Sequence, residues 1–247
     1  MILGWFKDKV AVLPLEGPIM EGSGGLMTPF GSSSMGKVED YLEKIKSKSK
    51  YKALILKINS PGGSPYKSKK MAELVKSLDI FKIALIEEKC TSGAYWIASS
   101  CDYVLADELS SIGGVGTISV RPDFSDLLDK LGINFDIQSE GKFKDEGMPF
   151  SKMSEEGKQH RKEMVKEIND VFKEQIKNRR DISEDSDVFE GQVFLGKEAE
   201  RKKLVDELGN KDRALEIAKN ALNEENVKIK DFSDEIKKGP SLLDVIR

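Results

Sequence analysis

The strongest constraint on this chain is the regular return of short apolar runs, each followed by a segment with helical spacing. Val10 to Leu15, Ala53 to Ile58 (ALILKI), Ile83 to Ile86 and Tyr103 to Ala106 read as strands. Between them, Lys37–Lys48 repeats apolar residues at Val38, Leu42 and Ile45, and a second helical pattern runs through Met71, Leu74, Val75 and Leu78. Strands too apolar to show one wet face, alternating with helices, predict stacked β-α units: an α/β fold with a mostly parallel sheet covered by helices.

Other segments fill in around this frame. Gly22–Gly36, rich in Gly, Ser and Met, reads as a long mobile loop of the kind that often carries function. Ser111–Val120 is β-like but holds three glycines, Phe124–Leu131 is helical, and Asn134–Gln138 is strand-like. Glu155–Arg180 predicts a long, highly charged helix with one narrow apolar stripe at Met164, Ile168, Val171, Phe172 and Ile176. Val193–Gly209 gives a short helix and a turn, and Asp212–Leu222 another helix. Lys228–Arg247, with its mixed charge, reads as weakly structured. The expected organisation is one domain over 1–222, with a helical arm near 154–181 and a tail over 223–247.

Composition narrows the function. Lys and Arg number 40 against 43 Asp and Glu, net −3 and interspersed, so no basic face is implied and nucleic acid is excluded as an expected partner. No apolar run is long enough to span a bilayer, and Met1–Phe6 (MILGWF) is too short for a signal-peptide core. A cytoplasmic location is the default expectation, with peripheral membrane association left open. Cys90 and Cys101 match no metal or CxxC pattern and read as buried free thiols. The single histidine, His160, lies among charges in EEGKQHRKEM and reads as solvated, so a Ser-His-Asp triad is disfavoured. Neither a dinucleotide fingerprint nor a P-loop is present, and Cys90 stands where a GxSxG elbow needs its first glycine.

Two turns remain as candidates for chemistry. In KCTSGAYWIAS, Ser92 falls where a strand passes into a helix. Its hydroxyl either caps the helix, the commoner use, or is presented as a nucleophile beside first-turn amides that hold an oxyanion. The second turn, Asn59-Ser60-Pro61-Gly62-Gly63-Ser64, is either an ordinary βα turn or a hydrogen-bonding hole whose missing Cβ atoms let a peptide approach. If Gly63 and Gly93 end neighbouring strands, their amides converge near the Ser92 oxygen. With histidine set aside, a serine nucleophile needs a neutral lysine as base. Lowering a lysine from about 10.4 to near 7 takes roughly 4–5 kcal/mol, so only a specially desolvated one serves. Lys144, in Glu140-Gly-Lys-Phe-Lys-Asp-Glu-Gly and flanked by Phe143 and Met148, fits best by context; its alternative is an ordinary surface lysine.

Six motifs occur in order: INSPGGS (Ile58–Ser64), TSGAYWIAS (Thr91–Ser99), the glycine run Gly113–Gly116, GKFKDEGMPF (Gly141–Phe150), GQVFLGKEA (Gly191–Ala199) and LVDELG (Leu204–Gly209). Together they resemble the SppA-type signal peptide peptidases, serine proteases of the ClpP/crotonase fold, over roughly Val10–Leu222. The resemblance implies Ser92 as nucleophile, Lys144 as general base, and Gly62, Gly63 and Gly93 as oxyanion and substrate-binding positions, with no metal or organic cofactor. It implies an extended, apolar peptide or unfolded protein as substrate, and a ring- or dome-shaped homo-oligomer with part of the Met164–Ile176 stripe in its interface. Where the family has a lysine-orienting serine this chain has Gly114, with Ser111 and Thr117 as substitutes. Where the family has a glycine before LVDELG it has Lys203, and the anchor many members carry is absent from this sequence. Two other functions stay open: an acyl-CoA hydratase or isomerase of the same fold, and a catalytically inactive binding or scaffold homologue.

Overall fold

The apolar runs lie side by side. In the computed structural model, which describes residues 9–20 and 35–237, β1 (Lys9–Glu16), β2 (Tyr51–Ser60), β3 (Phe81–Thr91) and β4 (Tyr103–Ala106) pair in parallel. The long β3 serves two partners: Ile83–Ile86 pair with β4, and Lys89–Thr91 pair with β5 (Ser111–Gly113). β6 (Val193–Leu195) adds antiparallel to β5, β7 (Glu207–Leu208) pairs with β4, and β8 (Lys228–Asp231) pairs with β1. The sheet runs β6-β5-β3-β2-β1-β8, with β4 and β7 branching from β3.

Alternation along each strand explains how the sheet is covered on both faces. Ala11, Leu13, Leu15, Leu54, Leu56, Ile58, Ala84 and Ile86 join the larger core, with α1 (Met35–Lys46), α2 (Pro65–Lys76) and α3 (Gly93–Ala98). The intervening Val10, Val12, Ala53, Ile55, Ile83 and Leu85 meet Ala214 and Ala218 of α7 (Lys211–Leu222). The remaining helices are α4 (Ser125–Lys130), α5 (Glu155–Lys177), α6 (Gly196–Arg201) and α8 (Ser233–Lys237).

The chain groups into two compact units, Met1–Gly116 with Phe172–Arg247, and Thr117–Val171. The second holds α4 and the Glu155–Val171 part of α5. Within it Arg121 donates to the carbonyls of Met148 and Ser151, Phe135 stacks on Phe150 at 4.3 Å, and Phe124 N–H donates to Pro149 O at 2.7 Å.

Three segments differ from expectation. β3 does not stop at Ile86 but continues through the exposed Glu87 and Glu88, because β5 extends the sheet beyond β4. Asn134–Gln138 forms no strand; it has no ladder partner among the described residues. The stretch read as a loose tail supplies β8 and α8, and buries Phe232 and Ile236 against the α1 side of the core. In α5 only the end of the stripe is core: Phe172 stacks on Trp96 at 4.4 Å and Ile176 is buried, whereas Met164 is exposed. The predicted 22–36 loop lies outside the described residues, apart from Met35 and Gly36, which open α1. Cys90 and Cys101 are buried free thiols as expected.

Candidate active site

Two strand ends and two helix starts build this site, all in the first unit. β2 ends at Ser60, and Pro61-Gly62-Gly63 turns into α2, capped by Ser64, whose hydroxyl accepts from Lys67 N–H, with Pro65 at the first helical position. On the adjacent strand β3 ends at Thr91, and Ser92 leads into α3. The turns are tied together, since Thr91 Oγ1 donates to Pro61 O at 3.1 Å. Ser92 N–H donates to Gly113 O at 2.8 Å, which fixes the serine against the end of β5.

Ser92 holds φ 54° and ψ −128°, a backbone state that costs a non-glycine residue about 1–3 kcal/mol. Its hydroxyl makes no capping hydrogen bond, so the commoner use of a serine at this position does not apply. The chain bends sharply and gains no cap; instead the half-buried side chain stands at the head of α3 with no hydrogen bond among the described residues. An elbow is disfavoured by the sequence because Cys90 stands where GxSxG has its first glycine. The bend is made here without that glycine, by the close approach of Gly62 and Gly114. A Cβ built on Gly62 would stand 2.6 Å from the Gly93 nitrogen and 2.9 Å from Ser92 Cβ, and one on Gly114 would stand 3.3 Å from the Ser92 nitrogen. Gly114 also has φ +61°, so the position where the family carries serine lies directly behind Ser92 in a backbone state that favours glycine.

Gly63 and Gly93 are brought together as expected: a Cβ on Gly93 would lie 3.5 Å from the Gly63 nitrogen. Gly93 N–H is one of the helix-start amides that have no intrahelical acceptor. Gly63 is held from its other side by Ile19, whose N–H donates to Gly62 O at 2.8 Å and whose carbonyl accepts from Ser64 N–H at 2.7 Å. A Cβ on Gly63 would fall 2.2 Å from Ile19 O, so only glycine fits there. Ile19 was not singled out from the sequence. Its signal is the register of β1, which pairs Glu16 with Asn59 and carries the chain alongside the Pro-Gly-Gly turn.

Lys144 belongs to the second unit. It is exposed, in a turn closed by its own N–H donating to Gly141 O at 3.0 Å. Its neighbour Phe143 stacks on the exposed His160 at 5.3 Å, and Lys142 pairs with Glu156. Glu146 accepts from the N–H and hydroxyl of Ser154 at 3.0 and 2.6 Å, just before α5. Burial pushes the Cys90 thiol well above its ordinary range and Cys101 up to about 12, so neither is a nucleophile. Among the described residues no cluster of His, Cys, Asp or Glu has the arrangement to hold a metal ion, and no helix is long and apolar enough to cross a membrane.

The sequence profile of Peptidase family S49 matches residues 80–225, a span that contains both Ser92 and Lys144. The chain is 30% identical over 227 residues to the chloroplastic serine protease SPPA of Arabidopsis thaliana, covering 88% of this chain and 33% of that one. It is 29% identical over 234 residues to protease 4 of Haemophilus influenzae, covering 92% and 37%. A relative from Methanocaldococcus jannaschii, 31% identical, covers 80% of this chain, which spans 65% of its length. The chain thus spans between one third and two thirds of these curated relatives. Among solved structures, an alanine variant of the membrane-bound stomatin-specific protease 1510-N superposes with TM-score 0.55 at 14% identity, over 95% of this chain and 99% of that one. A ClpP1 variant from Listeria monocytogenes superposes with TM-score 0.52 at 11% identity, over 81% and 92%. These likenesses place the fold in the ClpP/crotonase class.

Proposed function

Because the chain belongs to peptidase family S49, we propose that it is a serine endopeptidase with Ser92 as nucleophile and Lys144 as general base. The observation that carries this reading is the conformation of Ser92, strained, uncapped and set beside the Gly63 and Gly93 amides. Strain of this kind persists where the surroundings over-determine it, and it clusters at reacting centres.

In this mechanism the neutral Lys144 amine takes the Ser92 proton as Oγ bonds to the carbonyl carbon of an extended, apolar peptide. The charge that moves onto the carbonyl oxygen is held by the Gly63 and Gly93 N–H groups, each worth about 2.7–4 kcal/mol of barrier. The lysine ammonium then gives its proton to the leaving amine as the C–N bond breaks. Water, deprotonated by the same lysine, attacks the acyl-enzyme, and Ser92 recovers its proton as the acid departs. Neither a metal nor an organic cofactor takes part.

Lys144 is exposed in the single chain. Bound substrate and neighbouring copies in a ring- or dome-shaped homo-oligomer are assigned the role of covering it. Exposed apolar side chains of the second unit, Ile118, Val120, Leu127, Leu131 and Phe135, support such an assembly. Signal-peptide remnants and membrane-protein segments are the substrate class, encountered in the cytoplasm or at a membrane surface.

Three measurements test the assignment. A fluorophosphonate probe should label Ser92, and Ser92→Ala and Lys144→Ala should each abolish cleavage of unstructured apolar peptides. An unlabelled Ser92, as a hydratase or a scaffold would show, or undiminished cleavage in either variant, rejects it.

A further inference from the structure

The hydroxyl of Ser68, one turn into α2, differs from every other buried serine hydroxyl among the described residues. Ser60 Oγ accepts from Gly62 N–H at 3.2 Å, and Ser99 and Ser100 donate to Trp96 O at 2.8 and 3.2 Å. Ser110 donates to Glu87 O at 2.7 Å, and Ser125 donates to Asp123 at 2.6 Å. Ser68 is wholly buried and its Oγ has no hydrogen-bond partner among the described residues. A buried hydroxyl left unpaired is unfavourable, and such exceptions call for an explanation.

Its position supplies one. A Cβ built on Gly93 would lie 2.0 Å from Ser68 Oγ and 2.8 Å from Ser68 Cβ. A Cβ stands about 1.5 Å from its Cα, so Ser68 Oγ is at most about 3.5 Å from Gly93 Cα, on the side of the Cα–H bond that a Cβ would replace. The hydroxyl oxygen is therefore in Cα–H···O contact with Gly93, the residue that the proposed function makes an oxyanion donor. The same built Cβ lies 3.5 Å from the Gly63 nitrogen, so Ser68 lies close to both Gly93 and Gly63.

We propose that Ser68 is a positioning residue for the hydrolysis, fixing Gly93 and hence the aim of its oxyanion-holding amide. The inference rests on the reading of Ser92 as the nucleophile. It requires a side chain of this size with an oxygen at this point. A smaller one lets the start of α3 settle toward α2, and a larger one forces it away.

The decisive variant is Ser68→Ala. It removes an unpaired buried hydroxyl, so its Tm should equal or exceed that of the parent. If Ser68 aims Gly93, kcat falls about tenfold with KM unchanged. Affinity for a peptide aldehyde, whose hemiacetal oxygen uses the same two amides, falls by the same factor. A purely structural serine moves neither kcat nor aldehyde affinity, and that result overturns the proposal. Fluorophosphonate labelling of the parent separates the two failures. A parent that takes the label and cleaves peptide, beside an equally active Ser68→Ala, refutes the role of Ser68 alone. A parent that does neither overturns the reading of the site and the role of Ser68 with it.

Discussion

Replacing Gly62 with alanine tests whether the two turns are as closely packed as the site requires. Gly62 has φ +88°, where a residue with a Cβ is disfavoured by about 1–2 kcal/mol. The added methyl would also stand 2.6 Å from both Gly93 N and Thr91 O, and 2.9 Å from Ser92 Cβ. Ordinary carbon contacts are about 3.5–4.0 Å, and the atoms struck are backbone atoms and Ser92 Cβ rather than the ends of flexible chains. Overpacking of this kind adds about 1–3 kcal/mol, for a total loss of about 2–5 kcal/mol. Gly191 provides the reference. Its φ is +77° but open space surrounds its missing Cβ, so Gly191→Ala should lose only the backbone share of about 1–2 kcal/mol. In Gly62→Ala the clash is relieved by moving Ser92 and Gly93, and a displacement near 1 Å lowers kcat by roughly a hundredfold. Urea unfolding of both variants and single-turnover peptide cleavage measure these effects. Equal stability in the two variants with full kcat in Gly62→Ala would refute the close approach of the turns.

Lys203, where the family has glycine, has φ 62°, so Lys203→Gly should stabilise the fold by about 1 kcal/mol, less whatever its exposed ion pair to Asp181 contributes. Thermal unfolding would show a Tm rise of about 2–4 °C, and an unchanged or lower Tm contradicts the prediction. Arg180 is buried, bonds both Asp206 oxygens at 2.9 and 2.8 Å and also donates to Lys203 O, so Arg180→Met should destabilise by about 3–5 kcal/mol. A loss under about 1 kcal/mol in urea unfolding would show that the pair is not desolvated. At the sheet edge, burial raises the Asp231 carboxyl, but hydrogen bonds from the Ser233 hydroxyl and amide outweigh it and hold Asp231 below its ordinary value; the Lys230 pair does the same for Glu235. Both folded values lie below the unfolded ones of about 3.9 and 4.3, so their stabilisation is complete above about pH 4.3 and lost as pH falls through the folded values. Hydrogen exchange in β8 and α8 should accelerate in that acid range before the rest of the sheet; protection that does not change with pH there argues against it.

How far this could be read from the sequence depends on the range of the interaction that decides each feature. The central strands and their helices were legible because burial on both faces leaves unbroken apolar runs, and one set of alternating residues packs on α1–α3 while the other meets α7. β8 was not legible. Lys228–Asp231 is exposed at every position, and it is a strand only because β1 offers an open edge more than 200 residues earlier in the chain. The two turns that carry Ser92, Gly62, Gly63 and Gly93 were legible because turns are written in local residue types. Ser68 was passed over because a serine inside a helix carries no mark of the glycine it touches on the next strand-helix unit. Even at Ser92 the local pattern favoured a cap, and what excludes the cap is a backbone angle set by the neighbouring turn. The proposed chemistry therefore depends on contacts between two turns that are separated in sequence, and each turn alone is an ordinary βα connection. A substitution that separates the turns while leaving the fold intact should remove activity without touching a single reacting group.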